Sequence, residues 1–533
     1  MPVPFFTKKN NKQVLVVNDK PFIMLAGETH NSNASSLEVF GKVLDTAVRL
    51  NLNTVFTPVY WELIEPREGV FDFTLVDGLI NQAKQRGIKL AVLWFGTWKN
   101  AQLFYAPSWV KTDMKRFKRA EVEIGQTQIK LKDFYGMSYA SLSYLCDETV
   151  IADAKAFRAF LLHLKEIDET ENTVIMVQVE NETGLLGAAR EHSNEADAVF
   201  ASRVPQEFAE YMRSHTDTMV PEVKEAVISG SLSGDWKAVF GKVAEEIFSA
   251  YHFAKFTNKV AAAGKEAYPL PMYVNCWLDR GEVPGKYPTG GPVSRVLEVW
   301  KYCAPSIDVF APDIYVPYFC DICDEYTRRN NPLLIPETPT HNFAGPRLVY
   351  VVGHHHALGF SPFGFEEMGK PFSMAEAALF GVDTSDESLI VPHNIDEYAW
   401  YNKTLNEMMP LLVEKYGTDD LQAVCSERQD ENTMIFGDYG FRVIWKHSMI
   451  KRTDGVCLVL KAADDEFYII ANGIGLSPFS NDKKNPNIDI LVKEEGQFTK
   501  GKWRGTKRLN GDEIQTNIFN EPTLIRIKLF AYH

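Results

Sequence analysis

The sequence predicts an α/β protein: a (β/α)8 TIM barrel followed by a C-terminal antiparallel β domain of sandwich type. Eight short apolar runs occupy the first three quarters of the chain, and helical patterns lie between most of them. This alternation is typical of a closed parallel sheet, whose strands are buried on both faces. After about residue 415 the pattern changes to alternating strands. We therefore predict a barrel over residues 1–415 and a β domain over residues 416–533.

The eight predicted strands share an apolar composition rich in β-branched and aromatic residues. They are PFIMLAG (21–27), NTVFTPVYW (53–61), KLAVLWFGTW (89–98), VIMVQVE (174–180), PMYVNCWL (271–278), IDVFAPDIYV (307–316), PLLIP (332–336) and ALGFSPFGF (357–365). Amphipathic patterns over 37–50 and 73–87 predict helices after the first two strands. Long insertions follow the third strand (about 99–172) and the fourth (about 183–270), where they would extend the loops around a barrel's active site.

The β domain is predicted from alternating segments joined by turns rich in Gly, Asp and Asn. The segments are MIFGDYGFRVIW, GVCLVLKAADDEFYIIANGI, IDILVKEEGQF and LIRIKLFAYH. Alternation turns one face of each strand toward a core, as in a sandwich of two sheets. Packing against the barrel is the simpler role for this domain, and carbohydrate binding is the alternative.

Composition and charge exclude several kinds of partner. The net charge is −14 and Lys/Arg runs are absent, so nucleic acid is not an expected partner. No apolar segment approaches the length of a membrane span. The amino terminus, MPVPFFTKKNNKQ, lacks the apolar region of a signal peptide, which predicts a cytoplasmic protein, or a periplasmic or secreted one whose leader has been removed. The protein could also form a homo-oligomer, which the composition does not exclude.

Two of the predicted strands stop abruptly at a carboxylate. VIMVQVENETG reaches Glu182 after the fourth strand, and NPLLIPETPTH reaches Glu337 after the seventh. The carboxyl ends of barrel strands meet at one face, where active sites assemble. Two carboxyl groups about 5–5.5 Å apart are what a retaining glycoside hydrolase needs, one as acid/base and one as nucleophile. The alternative is that each glutamate only caps the following helix.

Other polar and aromatic residues near the strand ends are candidates for holding a carbohydrate substrate. Asn181 is placed to hold the sugar 2-hydroxyl, a contact that strengthens in the transition state. Tyr315 and His341 are candidates to hydrogen-bond Glu337. Sugar C–H faces stack on aromatic rings, and sugar hydroxyls bind polar side chains. Both kinds of residue follow the predicted strands. The remaining predicted contacts are Glu28, His30, Trp61, Trp94 and Trp277.

No metal or cofactor is expected from the motifs. H-E-x-x-H, P-loop, G-x-G-x-x-G and G-x-S-x-G patterns are absent. The Cys320/Cys323 pair lacks the second pair that a zinc finger needs, and seven thinly spread cysteines do not suggest a disulfide framework. Neighbouring residues on an α-helix point about 100° apart, so the run His354–His356 is not expected to converge on one ion.

Several motifs resemble glycoside hydrolase family 35, the β-galactosidases of the glycosidase clan with paired glutamates on strands four and seven. The similar segments are GETHNSNAS, LNTVFTPVYWELIEPREGVFDF and VQVENETG, and the resemblance covers roughly residues 20–370. The family's Q-V-E-N-E-Y-G is matched by residues 178–184. The resemblance implies Glu182 as acid/base, Glu180 and Asn181 as sugar contacts and Glu337 as nucleophile.

The sequence departs from the family at positions that choose the sugar. Thr97 stands where the family has the glutamate of C-A-E-W, Thr183 replaces the usual Tyr, and Pro58 replaces an aromatic residue. Clan and mechanism can persist while specificity changes. We therefore expect a retaining exo-acting β-galactosidase of polysaccharide or disaccharide metabolism. The alternatives are a related β-glycosidase for an arabinopyranoside, fucoside or glucoside, and a carbohydrate-binding barrel without catalysis.

Overall fold

The computed structural model describes residues 2–130, 138–328, 330–370, 394–515 and 517–533. The chain begins with a three-stranded antiparallel sheet formed by β1 (Phe5–Lys9), β2 (Lys12–Val17) and β3 (Lys20–Phe22). The predicted first strand was too long at its start, because its first residues belong to β3 and the barrel strand begins at Met24. Asn172, just before the fourth barrel strand, donates from Nδ2 to Asn18 Oδ1 at 2.8 Å. The small sheet therefore lies at the amino ends of the barrel strands.

Eight parallel strands form the predicted TIM barrel, in the sheet order β11-β10-β9-β6-β5-β4-β13-β12. The barrel strands are β4 (Met24–Glu28), β5 (Thr54–Tyr60), β6 (Lys89–Phe95), β9 (Val174–Val179), β10 (Met272–Trp277), β11 (Val309–Asp313), β12 (Leu334–Ile335) and β13 (Gly359–Phe360). Between β6 and β9, the short strands β7 (Ile129–Lys130) and β8 (Ser138–Tyr139) pair with each other outside the barrel. The first and last strands of this order approach each other where Ile314 N donates to Glu337 O at 2.9 Å. The TIM-barrel prediction is confirmed.

Helices surround the barrel, and short ones fill the long loops. They are α1 (Leu37–Arg49), α2 (Trp61–Ile64), α3 (Thr74–Gln85), α4 (Ser108–Thr112), α5 (Asp147–Asp168), α6 (Asn194–Phe200), α7 (Gln206–Ser214), α8 (Pro221–Ser229), α9 (Trp236–Phe240), α10 (Ala244–Ala267), α11 (Leu297–Cys303), α12 (Phe319–Thr327), α13 (Ala344–Tyr350) and α14 (Ile395–Lys415). A π-helical turn, Val351–His355, continues α13. The predicted insertions contain the long barrel helices α5 and α10, so the true loops are shorter than expected.

Local sequence explains these elements. All described residues of β5 and β9 are buried, as expected for strands covered on both faces. Ser36 begins α1 by accepting a hydrogen bond from Val39 N, and Asn394 begins α14 by accepting from Asp396 N and Glu397 N. Gly87 follows α3 with a φ of 68°, a conformation that favours glycine at a helix end.

The C-terminal part forms two antiparallel sheets, one of six strands and one of four. The strands are β14 (Leu421–Cys425), β15 (Thr433–Phe436), β16 (Tyr439–Ile444), β17 (Val456–Ala463), β18 (Glu466–Asn472), β19 (Ile474–Ser480), β20 (Asn487–Thr499), β21 (Lys502–Arg508), β22 (Ile518–Phe519) and β23 (Thr523–Tyr532), with the short helix α15 (Asp512–Gln515). Val459 of β17 lies in a core shared by the two sheets, and Leu458 faces the barrel core instead. The six-stranded sheet is therefore buried on both faces.

Charged pairs cross between the barrel helices and this β domain. Arg452 donates to both carboxylate oxygens of Glu397 in α14, at 2.7 and 3.0 Å. Arg347 of α13 binds Glu427 in the same two-point way, at 2.6 and 2.8 Å. In the part of the chain that the structure describes, no helix combines the length and apolarity needed to cross a membrane.

Candidate active site

Four carboxyl groups gather at the carboxyl ends of the barrel strands. Glu28 ends β4, Glu182 follows β9, Asp313 ends β11 and Glu337 follows β12. One carboxyl oxygen from each of Glu182, Asp313 and Glu337 lies within 4.8 Å of the other two. Oxygens this near to one another are compatible with the roughly 5–5.5 Å between the carboxyl groups of retaining glycosidases.

The segment that carries Glu182 has an unusual backbone. Glu180 and Glu182 have φ angles of 61° and 45°, in the left-handed region that non-glycine residues rarely occupy. Hydrogen bonds from three sides hold the segment: Glu182 N donates to Asn275 Oδ1 at 3.0 Å, Asn181 N donates to Trp98 O, and Ala101 N donates to Glu182 O. Strained backbone that is held in this way is often found where a functional side chain must be aimed.

Glu337 is oriented by two hydrogen-bond donors from neighbouring strands. Tyr315, just after β11, donates its hydroxyl to Oε2 at 3.0 Å. Asn275 of β10 donates from Nδ2 to Oε1 at 3.3 Å and to Asp313 Oδ2 at 2.8 Å. The contact predicted for Tyr315 is therefore present in the structure, and Asn275 adds a second. With both donors in place, the Glu337 carboxyl group is held as a hydrogen-bond acceptor.

The surroundings of Glu182 favour its protonated form. Burial, and secondly the negative charge of Glu337, raise the pKa of Glu182 to about 7, although the Lys99 ammonium opposes the rise. Lys99 is itself buried and lies over the Phe95 ring at 5.1 Å. A carboxyl group that holds its proton near neutral pH is what a general acid requires.

Asp313 forms a proton-sharing pair with Glu182. Burial, then the charges of Glu337 and Glu182, raise the pKa of Asp313 well above its usual range. A protonated Asp313 donates a hydrogen bond to an ionised Glu182, which acts to lower the pKa of Glu182. The three neighbouring carboxyl groups could also attract a cation. However, the Asn275 amide and the Tyr315 hydroxyl already direct donors at two of them, which disfavours a metal.

Glu28 is enclosed next to this group. Neither of its carboxyl oxygens has a hydrogen-bond partner among the described residues, and its side chain has no exposed surface. Burial, then the charge of Glu337, raise the pKa of Glu28 well above its usual range. His30 is half-buried, with its ring edge-on to Phe363 and its backbone N–H on Glu366 Oε1. Unsatisfied buried carboxyl oxygens are costly, so Glu28 is suited to accept from ligand hydroxyls.

The predicted sugar contacts on the Glu182 segment differ in their surroundings. The Asn181 amide nitrogen has no partner among the described residues, which leaves it able to donate to a ligand. Glu180 instead accepts from Trp98 N at 2.7 Å, and burial and neighbouring Asp153 raise its pKa well above the usual range. Thr97 also binds Asp153, through both its N–H and its hydroxyl. Glu180 and Thr97 thus belong to a buried network beside the site.

The three tryptophans predicted as sugar contacts differ in their burial. Trp61 and Trp94 have no exposed surface, and their indole nitrogens donate to Glu65 and Asp153, at 2.9 and 2.8 Å. Both indole N–H groups are therefore satisfied within the protein, whereas the Glu28 oxygens have no partner among the described residues. Trp277 is half-buried at the end of β10.

His341 follows β12, four residues after Glu337, and lies beside α13. Its Nδ1 accepts from Phe343 N at 3.3 Å, and its Nε2 is 3.4 Å from Arg347 Nη1. The contact predicted between His341 and Glu337 stays a prediction, beside the contacts that Tyr315 and Asn275 make to Glu337.

Asn275, Asp313 and Lys99 belong to the site but were not selected from the sequence. Asn275 lies inside the apolar run PMYVNCWL, and Asp313 is the second of two aspartates in the otherwise apolar run IDVFAPDIYV. A polar side chain near the carboxyl end of a buried barrel strand is costly unless it has a partner, which is a usable signal. Lys99 follows the third strand and carries no comparable signal.

A family model described as a domain of unknown function (DUF5597) matches residues 399–520, from within α14 through most of the β domain. No curated protein matches the sequence.

Several solved structures are similar to this chain. An exo-β-1,4-mannosidase from Opitutaceae bacterium strain TAV5 has 15% identity and a TM-score of 0.40, over 72% of this chain and 59% of that one. A β-galactosidase from Bacillus circulans sp. alkalophilus has 13% identity and a TM-score of 0.46, over 74% and 57%. The catalytic domain of a β-amylase from Paenibacillus polymyxa has 13% identity and a TM-score of 0.44, over 67% and 97%. The chain thus spans less than two thirds of the mannosidase and of the galactosidase.

Proposed function

We propose that the protein is a retaining exo-acting glycoside hydrolase, with β-galactosides as the first candidate substrates. One observation carries this proposal: the carboxyl groups of Glu182 and Glu337 meet at the ends of the fourth and seventh strands with oxygens within 4.8 Å. They also have unlike surroundings, because Glu182 is favoured as an acid and Glu337 faces two donors. Such a difference separates the roles of acid and nucleophile.

The first step forms a covalent intermediate. A Glu337 oxygen attacks the anomeric carbon and forms a new C–O bond as the bond to the leaving oxygen breaks. The Glu182 carboxyl group transfers its proton to that leaving oxygen, and the aglycone departs as an alcohol. Tyr315 and Asn275 keep the Glu337 carboxylate in place during attack.

The second step releases the sugar. Glu182, now ionised, takes a proton from water as the water oxygen attacks the anomeric carbon, and the bond to Glu337 breaks. Two displacements restore the starting anomeric configuration. Asn181, with its free amide nitrogen, is placed to hold the sugar 2-hydroxyl through both steps.

The sugar identity depends on the groups around Glu28. In the resembling family a glutamate stands at the position of Thr97, but here Thr97 is bound to Asp153. Neither Glu28 oxygen has a partner among the described residues, so we assign Glu28 as an acceptor for sugar hydroxyls. A galactoside fits this proposal, and an arabinopyranoside, a fucoside and a glucoside are the alternatives.

A panel of nitrophenyl glycosides tests the proposal with wild-type protein, Glu337→Gln and Glu182→Gln. We expect the wild type to cleave one β-glycoside class, Glu337→Gln to lose turnover, and Glu182→Gln to keep activity only on substrates with good leaving groups. Exposed Glu38→Gln serves as the matched control. Near-normal hydrolysis by both active-site variants would refute the proposal. Sugar binding without any turnover would favour a non-catalytic carbohydrate-binding barrel instead.

A further inference from the structure

A second cluster of ligating groups lies at the amino ends of the barrel strands, away from the four carboxyl groups. His354 and His355 end the π-helical turn before β13, and Asp324 lies on α12. One ligating atom from each of the three residues lies within 4.8 Å of the other two. The expectation that neighbouring histidines diverge assumed α-helical geometry. In the π-helical turn the rings of His354 and His355 lie 4.7 Å apart, and His355 Nε2 lies 3.8 Å from Asp324 Oδ1.

The other polar atoms of these side chains are held by the protein, which leaves the inward atoms available. His354 Nδ1 lies 3.2 Å from the carbonyl oxygen of Ala423, so a proton on Nδ1 leaves the Nε2 lone pair unused. Asp324 accepts from Arg428 at Oδ2, 2.7 Å away, and its Oδ1 lies 3.8 Å from His355 Nε2. Partners of this kind orient the ligands of most protein metal sites.

His355 provides an independent indication of a ligand. Its side chain is about 95% buried, and its Nε2 has no hydrogen-bond partner among the described residues. A neutral imidazole with a free lone pair is the form that binds metal ions.

A cavity between the π-helical turn and the β domain meets the cluster at His354. The cavity has a volume of about 460 Å³ and is lined by His354 together with Asp419, Asp430 and Glu431. The three carboxylates would draw a cation toward His354. His356 also lines this cavity, but its ring nitrogens contact Gly417 N and Leu421 O, at 3.1 and 3.3 Å.

We propose that His354, His355 and Asp324 bind a divalent transition-metal ion of the zinc class, with water completing the coordination. Two imidazoles and a carboxylate suit zinc, cobalt or nickel and not magnesium, which prefers oxygen ligands. Ligands at about 2.0–2.1 Å from a tetrahedral ion stand about 3.3 Å apart. The observed 3.8 Å between His355 and Asp324 therefore needs only a small closure. The ion would join α12 to the turn beside β14.

Metal titration of the full-length protein without a histidine tag tests this site. After chelator treatment and dialysis, we expect calorimetry with Zn²⁺ to give one equivalent per chain and the Tm to rise on binding. Mg²⁺ should give neither effect. His355→Ala and Asp324→Asn should weaken zinc binding at least about tenfold. His356→Ala is the matched control and should bind zinc as the wild type does.

Circular dichroism spectra of the metal-free variants show whether each variant folds. A variant is interpreted when its metal-free circular dichroism spectrum matches that of the wild type, and His354→Gln supplies a second, milder change at the cavity side. Unchanged zinc binding in His354→Gln, His355→Ala and Asp324→Asn would overturn the proposal. An equal loss in His356→Ala would do so as well. Glycosidase activity is not a readout here, so the result is independent of the proposed function.

Discussion

Asn275 is hydrogen-bonded to Glu337, with 3.3 Å between Nδ2 and Oε1. The opposite end of the same amide accepts the backbone N–H of Glu182 at 3.0 Å. One side chain on the fifth barrel strand thus connects the two residues proposed to carry the chemistry. The Asn275 amide thus bridges Glu182 and Glu337 by two hydrogen bonds.

Replacing Asn275 tests this connection. Asn275→Ala should lower kcat about 100-fold, equivalent to about 2.7 kcal/mol of transition-state stabilisation, because both catalytic groups lose a fixed partner. KM should change little, since Asn275 is not proposed to touch the substrate. Steady-state kinetics on the best nitrophenyl glycoside measures both values, with exposed Asn481→Ala as control. An unchanged kcat would show that the amide has no orienting role.

The pH dependence of kcat/KM should report the ionisation of the Glu182 carboxyl group. Its pKa is raised to about 7, so the proton needed for leaving-group protonation is present below pH 7 and lost as the pH rises through that value. Lys99 lowers this pKa, so Lys99→Met should move the alkaline limb upward by roughly half to one pH unit. The substrate must have a poor leaving group, so that protonation limits the rate. A limb that moves downward in Lys99→Met would contradict the assignment.

Asp313 should affect the alkaline limb of the kcat/KM profile through its hydrogen bond to Glu182. Removing the donor in Asp313→Ala should raise the pKa of Glu182 and shift the alkaline limb upward, because an ionised Glu182 loses its partner. Asp313→Asn keeps an amide that can donate to Glu182 and an oxygen that can accept from Asn275. Its limb should stay near that of the wild type. If the two variants gave identical profiles, the proton-sharing pair would be ruled out.

The sequence predicted the barrel and its two proposed catalytic residues because both signals are local. A buried parallel strand is an apolar run, and an acid directly after it must lie at the carboxyl end. Asn275 and Asp313 were missed because a short run does not reveal which way each of its side chains points. Trp61 and Trp94 follow or end strands in the same way, yet their rings turn into the interior.

Two other differences come from structure that periodicity does not encode. Strand β3 was merged with the first barrel strand because its residues run into the apolar strand β4 without a turn signal. The histidine run was interpreted with the angles of an α-helix, and only the structure shows a π-helical turn there.

The contact between α14 and the β domain should contribute measurably to stability. Arg452 pairs with Glu397, which is buried and also accepts from Asn472, so Arg452→Ala leaves a buried carboxylate without its cation. We expect the free energy of unfolding to fall by about 3 kcal/mol. Lys42→Ala breaks the exposed pair with Glu38 and should leave the free energy of unfolding nearly unchanged, because solvent screens the pair. Urea denaturation compares the two, and equal effects would argue against a structural role for the buried pair.

Trapping the covalent intermediate tests the central claim most directly. The protein is incubated with the 2-deoxy-2-fluoro derivative of the sugar that the glycoside panel identifies, then digested and analysed by peptide mass spectrometry. The account predicts one sugar on the peptide that contains Glu337, attached through that carboxylate, and no label in Glu337→Gln. Stable labelling of Asp313 or Glu28, or hydrolysis with inverted configuration and no labelled peptide, would contradict it.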